Sequence, residues 1–103
     1  MEPSLTHEAF TQHTNTSFQV QVDENTNVPL ELTAVSELKL YPRQEEFTVV
    51  FRGPSDAFLG QGSRPFTHDQ MGEFELFLVP IRQDAQGFYY EAVFNRLRDL
   101  DSK

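Results

Sequence analysis

The chain contains no cysteine, so disulfide bonds, thiolate catalysis and cysteine-bound metals are all excluded. Long apolar runs are also missing. The longest uncharged one, Leu76–Ile81, is far shorter than the roughly 20 residues that a membrane-spanning helix needs. The opening residues, MEPSLTHEAF, have neither the basic nor the apolar region of a secretory signal. We therefore expect a cytoplasmic protein, or a component of a structure assembled in that compartment.

Basic residues are scarce. The 103 residues include sixteen Asp and Glu but only eight Lys and Arg, which gives a formal net charge of −8. Binding to nucleic acid or to an anionic membrane requires basic surface, and this composition does not supply it. We therefore expect a soluble acidic surface, with no nucleic-acid partner and no membrane partner.

Tryptophan is absent as well, but ten phenylalanines and three tyrosines are present. Aromatic side chains favour strands, and each can bury about 150–250 Å². A phenylalanine-rich core in a small β-domain accounts for most of them, and any surplus points to an interface.

One short helix is predicted over residues 4–14. Thr6 can cap its amino end, and Glu8 falls in its first turn, where a negative charge is favourable. Because two helical turns are not stable alone, we expect Leu5 and Phe10 to hold the helix as a lid over one end of a sheet.

Apolar and polar residues alternate from Phe18 onward, which is typical of strands with one buried face. The expected order is three strands in residues 17–53, an irregular loop with a short edge strand in 54–73, a hairpin in 74–96 and a fraying tail in 97–103. No strand–helix–strand alternation is present. The sequence therefore predicts one mainly-β domain over residues 1–103: a small antiparallel β-barrel or sandwich of about six strands with one short N-terminal helix.

The predicted hairpin, Phe74–Asn95, is apolar at nearly every position of both strands. A four-residue turn at Asp84–Gly87 gives these cross-strand pairs: Ile81 with Tyr90, Val79 with Ala92, Phe77 with Phe94, and Glu75 with Arg96. Both faces of the hairpin then remain apolar. Either the helix and the 54–73 loop cover the second face, or a partner or another copy of the chain does.

Six residues are predicted to have structural roles: Gly53, Pro54, Gly72, Pro80, Gly87 and Glu91. The glycines and Pro54 fit strand ends and turns. Pro80 cannot donate a backbone hydrogen bond, so it fits an edge or a bulge. Glu91 has apolar neighbours and is expected to pair with a basic residue such as Arg82 or Arg96.

No catalytic or metal-binding set is recognisable. His7, His13 and His68 are too scattered to predict a metal site. Ser63 precedes His68 and Asp69, but neighbours on an extended segment point to opposite faces, so His68 and Asp69 cannot form an orienting pair. We therefore expect no catalytic residue, no cofactor and no metal, and a protein that is not an enzyme.

Several stretches resemble a known family: LTHEAF (Leu5–Phe10), FRGP (Phe51–Pro54), QG (Gln61, Gly62), HDQMGEFELFLVPI (His68–Ile81) and GFYYEAVFNR (Gly87–Arg96). They are similar to a family of short bacterial proteins of unknown function, with an H-x-x-[LM]-G turn followed by two characteristic strands. Members of that family are encoded beside phage-tail-collar-like fibre proteins. The resemblance implies a part in assembling or decorating a fibre or tail-like structure, and it implies no catalytic residues.

The leading hypothesis is a non-enzymatic structural or assembly protein that docks on itself or on a fibre-like partner. The candidate interface residues are Phe58, Leu59, Phe66, Phe77, Val79, Tyr89 and Tyr90. The alternative is a small barrel that binds an apolar small molecule in its aromatic interior, with Glu91 or His68 orienting it. A third hypothesis is an enzyme that uses Glu91 as a general base.

Overall fold

The alternation of apolar and polar residues produces seven strands, preceded by one short helix. The computed structural model describes residues 5–97, and the bounds are α1 His7–Gln12, β1 Ser17–Asp23, β2 Thr26–Val35, β3 Lys39–Tyr41, β4 Gln44–Gly53, β5 Gly62–His68, β6 Gly72–Asp84 and β7 Gly87–Leu97. Ser4, at the predicted helix start, and residues 98–103 of the predicted tail lie outside the described residues.

Six strands close into an antiparallel barrel in the order β1, β5, β6, β7, β4, β2, with β2 pairing again with β1. Closure depends on β2. Its first half pairs with β1, as in Leu30 with Phe18, and its second half pairs with β4, as in Leu32 with Phe51. Among the described strands, β3 pairs with β4 alone and lies outside the ring. The predicted mainly-β fold with one helix is confirmed, as a barrel rather than a sandwich.

Helix α1 plugs one end of this barrel. Thr6 is its N-cap, because the Thr6 hydroxyl accepts a hydrogen bond from the Ala9 N–H at 3.1 Å, as predicted. Phe10 is fully buried, and its ring lies 5.2 Å from that of Phe94. At the start of the helix, His7 Nε2 donates to the Ser36 carbonyl at 2.8 Å. The six-residue helix is therefore held by the barrel, since its own length is too short for stability.

The barrel interior is filled by side chains from alternate strand positions. Phe18 is central: its ring lies 5.3 Å from that of Phe51 and 6.4 Å from that of Phe66. Of the ten phenylalanines, Phe58 and Phe77 are exposed. Ring pairs at these separations are attractive beyond the area that they bury. The predicted phenylalanine-rich core is confirmed.

Residues 17–53 form four strands where three were expected. The predicted second strand is interrupted at residues 36–38 and ends as β3, which turns at Pro42 and Arg43 into β4. Leu38 and Leu40 continue the sequence alternation of Leu30 and Leu32, but they are exposed. The reason is that β3 extends past the closed ring, where no opposite wall covers its side chains.

The strand in the predicted loop of residues 54–73 is not an edge strand. Strand β5 pairs with β6 over its full length, from Gly62 to His68, and also with β1, as in Phe66 with Val20. The expectation of an edge was wrong because closure of the barrel gives each of the six strands two neighbours. The described pairing with β1 begins just after Pro65, which has no N–H to donate.

A bulge divides the β6–β7 hairpin. Near the turn the register follows the prediction, with Asp84 opposite Gly87 and Arg82 opposite Tyr89. One extra residue lies between Pro80 and Arg82, so that Pro80 pairs with Tyr90. The predicted bulge at Pro80 is therefore present, since a residue that cannot donate to the ladder is tolerated there.

The bulge shifts the register beyond it, so the predicted pairs of Ile81 with Tyr90 and of Val79 with Ala92 are wrong: Tyr90 lies opposite Pro80 and Val79 lies opposite Glu91. The described β6–β7 pairs end at Val79, and the other two predicted pairs, Phe77 with Phe94 and Glu75 with Arg96, are not among them. Because side chains alternate, the shift turns Tyr90 into the barrel. The outer side of the hairpin then carries a set that we call the outer hairpin face: Phe77, Val79, Glu91 and Val93.

Two glycines stand where other atoms approach the backbone closely. A Cβ on Gly87 would overlap the Gly53 carbonyl oxygen, and Gly87 has a φ of 143°. A Cβ on Gly53 would come within 2.6 Å of Leu30 Cδ2. Beside them, Pro54 ends β4, and its carbonyl accepts the Ala57 N–H at 3.4 Å. The predicted structural roles of these three residues are therefore consistent with the geometry.

Candidate protein-docking site

Four of the seven predicted interface residues are buried in the folded chain: Leu59, Phe66, Tyr89 and Tyr90. Phe66 and Tyr90 point into the barrel, and Leu59, in the loop that follows β4, packs against the core. Tyr89 is on the outside, but the guanidinium of Arg82 lies 3.8 Å above its ring. These four residues cannot form a surface for a partner. The prediction failed because sequence alternation cannot show which of two apolar rows closes the core.

The loop after β4 is fastened by Tyr90. The phenolic oxygen of Tyr90 accepts the Leu59 N–H at 3.0 Å. Burial raises the pKa of Tyr90, whereas this hydrogen bond and the charge of Arg64 act to lower it. Phe58 remains 58% exposed on this loop, with its ring 5.0 Å from that of Phe88. Phe58 therefore covers the rim of the barrel and lies apart from the outer hairpin face.

Phe77 and Val79 are the predicted interface residues that belong to the outer hairpin face. Val79 is half-buried and Phe77 is 51% exposed. The same face includes Val93, which is 56% exposed and was not predicted as an interface residue. Phe77 and Val93 each lie two residues beyond the Val79–Glu91 pair, so their side chains point to the same side. No sequence signal separates Val93 from the inward row, because both rows of the hairpin are apolar.

Glu91 lies within this apolar face without its predicted partner. It is opposite Val79 on β6 and opposite Val50 on β4. Within the described chain, Arg82 pairs instead with Asp84 at 3.6 Å. The other predicted partner, the Arg96 side chain, lies outside what is described. The expected ion pair with Arg82 was wrong, because Arg82 lies opposite Tyr89, with its guanidinium over the ring of Tyr89 and paired with Asp84.

His68 is a buried histidine that organises a turn. Its Nδ1 accepts the N–H groups of Gln70 at 3.0 Å and of Met71 at 3.1 Å, so the ring hydrogen is on Nε2. Nε2 donates to the Thr16 hydroxyl at 2.9 Å, and that hydroxyl donates to the His13 carbonyl at 2.6 Å. Burial lowers the pKa of His68, nearby His13 lowers it further, and Asp69 opposes the shift.

The HDQMG segment is thus a turn closed by a side chain. Met71 is buried beneath it, and Gly72 takes a φ of 85°, a conformation that favours glycine. Ser63 lies opposite exposed Phe77 on the outside of the barrel, while His68 points inward. These two residues therefore do not form a nucleophile and base.

A cleft of about 490 Å³ opens on another part of the barrel wall. The Arg52 guanidinium forms an ion pair with Glu31 and donates to the Gln86 side-chain oxygen at 3.2 Å. The charged groups of the cleft, Arg52 and Glu31, therefore already pair with each other. Among residues 5–97, no group of three His, Asp or Glu side chains is placed to hold a metal ion.

These features define a class of protein: a small closed antiparallel β-barrel, plugged by a short helix, with an exposed apolar face on its outer wall. Over residues 5–94 the chain matches the family described as a domain of unknown function (DUF6916), and it belongs to that family. The expected membership in a domain-of-unknown-function family is confirmed. Comparison with curated proteins and with solved structures gives no match. No helix within residues 5–97 is long and apolar enough to cross a membrane.

Proposed function

We propose that this chain is a non-enzymatic structural or assembly protein that binds another protein through the outer hairpin face. The observation that carries the proposal is the exposure of Phe77 and Val93, at 51% and 56%, on one side of the same hairpin. Outward positions of an antiparallel barrel in water are normally polar. Isolated exposed apolar residues need no explanation, but a group of them on one face indicates an interface.

Helix α1 and the loop after β4 were the segments expected to cover the second face of the hairpin. Both lie elsewhere, and this supports the proposal. Helix α1 packs into the end of the barrel through Phe10, and the loop after β4 closes over Tyr90. Neither segment covers Phe77 or Val93, which remain exposed. A partner protein can therefore bury this face without displacing any described element.

The sequence resemblance gives the kind of partner that this proposal names, a fibre-like or filament-like protein of a phage-tail type assembly. Assembly before release would place the chain in the cytoplasm. No observation favours the alternative, an apolar small molecule inside the barrel, because rings such as those of Phe18 and Phe66 occupy the interior in mutual contact.

The test is a titration of the purified chain with the fibre-like protein encoded beside its gene, followed by light scattering and calorimetry. Fully burying a large apolar side chain contributes about 1.5–3 kcal/mol, so completing the burial of a half-exposed one contributes about 1 kcal/mol. Phe77→Ser and Val93→Ser together are expected to weaken binding by at least about 10-fold. Neither substitution removes a core contact, so thermal unfolding should change little.

Leu40→Ser is the matched control, since Leu40 is 57% exposed and lies on β3, which β4 separates from the hairpin. This variant is expected to bind as the unmodified chain does. Equal binding by the Phe77 and Val93 variant would contradict the proposal. So would the lack of any complex at concentrations near 100 μM, the range of weak specific binding.

A further inference from the structure

Carboxylates lie beside the apolar residues of the outer hairpin face. Glu75 precedes Phe77 by two residues on β6, and Glu73 precedes Glu75 by two, so all three side chains point outward. Glu91 stands in the same relation to Val93 on β7. Glu73 and Glu75 are exposed, and Glu91 is half-buried. The apolar centre of the face therefore has acidic groups along both strands that form it.

Among the described side chains, those of residues 5–95, these carboxylates have no basic counterpart in an ion pair. The basic residues nearest the turn of the hairpin are engaged elsewhere: Arg52 pairs with Glu31, and Arg82 pairs with Asp84 while lying over Tyr89. A partner that covered the face with apolar groups alone would bury Glu91 without compensation, and an unpaired buried carboxylate is strongly unfavourable.

We infer that the surface which binds this face has an apolar centre with Lys or Arg side chains placed around it, and that it belongs to a different protein. This inference rests on the proposed docking function and adds the chemistry of the partner. A second copy would bring its own Glu73, Glu75 and Glu91 against the first set. Like charges in such contact cost several kcal/mol, and each copy carries a net charge of −8.

The test uses two synthetic heptapeptides with the same apolar residues, one alternating Phe and Val with Lys, the other alternating them with Glu. Each is titrated into the isotope-labelled full chain and followed by NMR. The basic peptide is expected to shift the signals of Phe77, Val79 and Val93. The acidic peptide is expected to bind at least about 10-fold more weakly, a difference that should shrink as added salt screens the charges.

Charge removal on the chain localises the effect. The double variant Glu75→Gln and Glu91→Gln is expected to weaken binding of the basic peptide at least threefold. Glu24→Gln is the matched control, because Glu24 is exposed in the turn between β1 and β2 and its loss changes the net charge without touching the hairpin. Its affinity should stay within the error of that of the unmodified chain.

Three results would overturn the inference: equal affinity for the two peptides, equal weakening by Glu24→Gln, or a dimer of the chain alone that Phe77→Ser dissolves. The same variants separate this inference from the docking proposal. If the fibre-like protein requires Phe77 but is indifferent to the two Glu→Gln substitutions, docking stands and the charge inference fails. If Phe77 has no effect on that binding, docking itself fails.

Discussion

At Gly87 the backbone of β7 passes so close to Gly53 of β4 that no side chain fits between them. The clash would be with a carbonyl oxygen, which cannot move without disturbing the strand that carries it. The φ of 143° adds a conformational cost for any other residue. This pair fixes where the β6–β7 turn docks on the end of β4.

We therefore predict that Gly87→Ala lowers the free energy of unfolding by at least about 2 kcal/mol, combining backbone strain with the steric clash. Gly60→Ala is the control, because a Cβ there has open space and no positive φ is involved. It should be neutral or stabilising by about 0.4–1 kcal/mol. Urea unfolding measures both, and equal midpoints for the two variants would contradict the close approach.

Among the elements, the β5–β6 turn is the one with a titratable centre. His68 Nδ1 accepts two backbone N–H groups and must be neutral to do so. Through Thr16 and His13 the same ring connects this turn to the segment that follows α1. Protonation of His68 would place a hydrogen on Nδ1, facing the two backbone N–H groups that donate to it. The turn would then be held less firmly to the segment that follows α1.

The folded state lowers the pKa of His68 below its ordinary value of 6.5, so the unfolded chain binds the proton more readily. The stability that His68 provides is therefore present above pH 6.5 and is lost as the pH falls below it. We predict a lower urea midpoint at pH 5.5 than at pH 7.5. The pKa values of Asp23 and Asp84 are lowered from 3.8, mainly by backbone hydrogen bonds, so these groups titrate below this window.

His68→Asn should flatten the pH dependence, because an asparagine oxygen can accept backbone N–H groups but does not titrate. His7→Asn, which lies outside this turn, should leave the pH dependence of stability unchanged. The His68 variant is also expected to lose about 1 kcal/mol at pH 7.5, since its side chain is too short to reach Thr16 in the same way. An unchanged pH dependence in His68→Asn would assign the effect to another group.

The whole molecule carries an excess of eight negative charges, and its described ion pairs are few: Arg52 with Glu31, and Arg82 with Asp84. We therefore expect the repulsion among carboxylates such as Glu73 and Glu75 to exceed the attraction within the ion pairs, and added salt screens both. This balance acts against compactness, and it also keeps copies of the chain apart.

We predict that raising sodium chloride from 10 to 150 mM, which shortens the Debye length from about 30 to 8 Å, raises the midpoint of thermal unfolding by a few degrees. Sodium fluoride at equal ionic strength should act alike if screening is the cause. A midpoint that falls with sodium chloride would show that attractive pairs dominate. A response only to strongly excluded salts such as sulfate would indicate burial of apolar surface instead.

Local chemistry was readable from the sequence wherever one residue decides the outcome. The Thr6 cap, the turn at Asp84–Gly87 and the bulge at Pro80 each follow from a hydroxyl, a turn preference or a missing N–H. The outer hairpin face, the proposed docking surface, follows from the sequence only in part. The sequence predicts Phe77 and Val79 there, but it also predicts Tyr90, which is buried, and it does not predict Val93.

By itself the sequence determined the class of fold: alternation makes strands, the phenylalanines fill a core, and the excess of acidic residues makes the surface. Only the tertiary structure decided which side of the hairpin faces water. One extra residue beside Pro80 changes which side chains of β6 share a face with which side chains of β7. The closed barrel has one interior, and only one of the two faces can fill it. Because both rows are equally apolar, local preference cannot choose between them. Pairing with β4 and β5, distant in sequence, makes that choice.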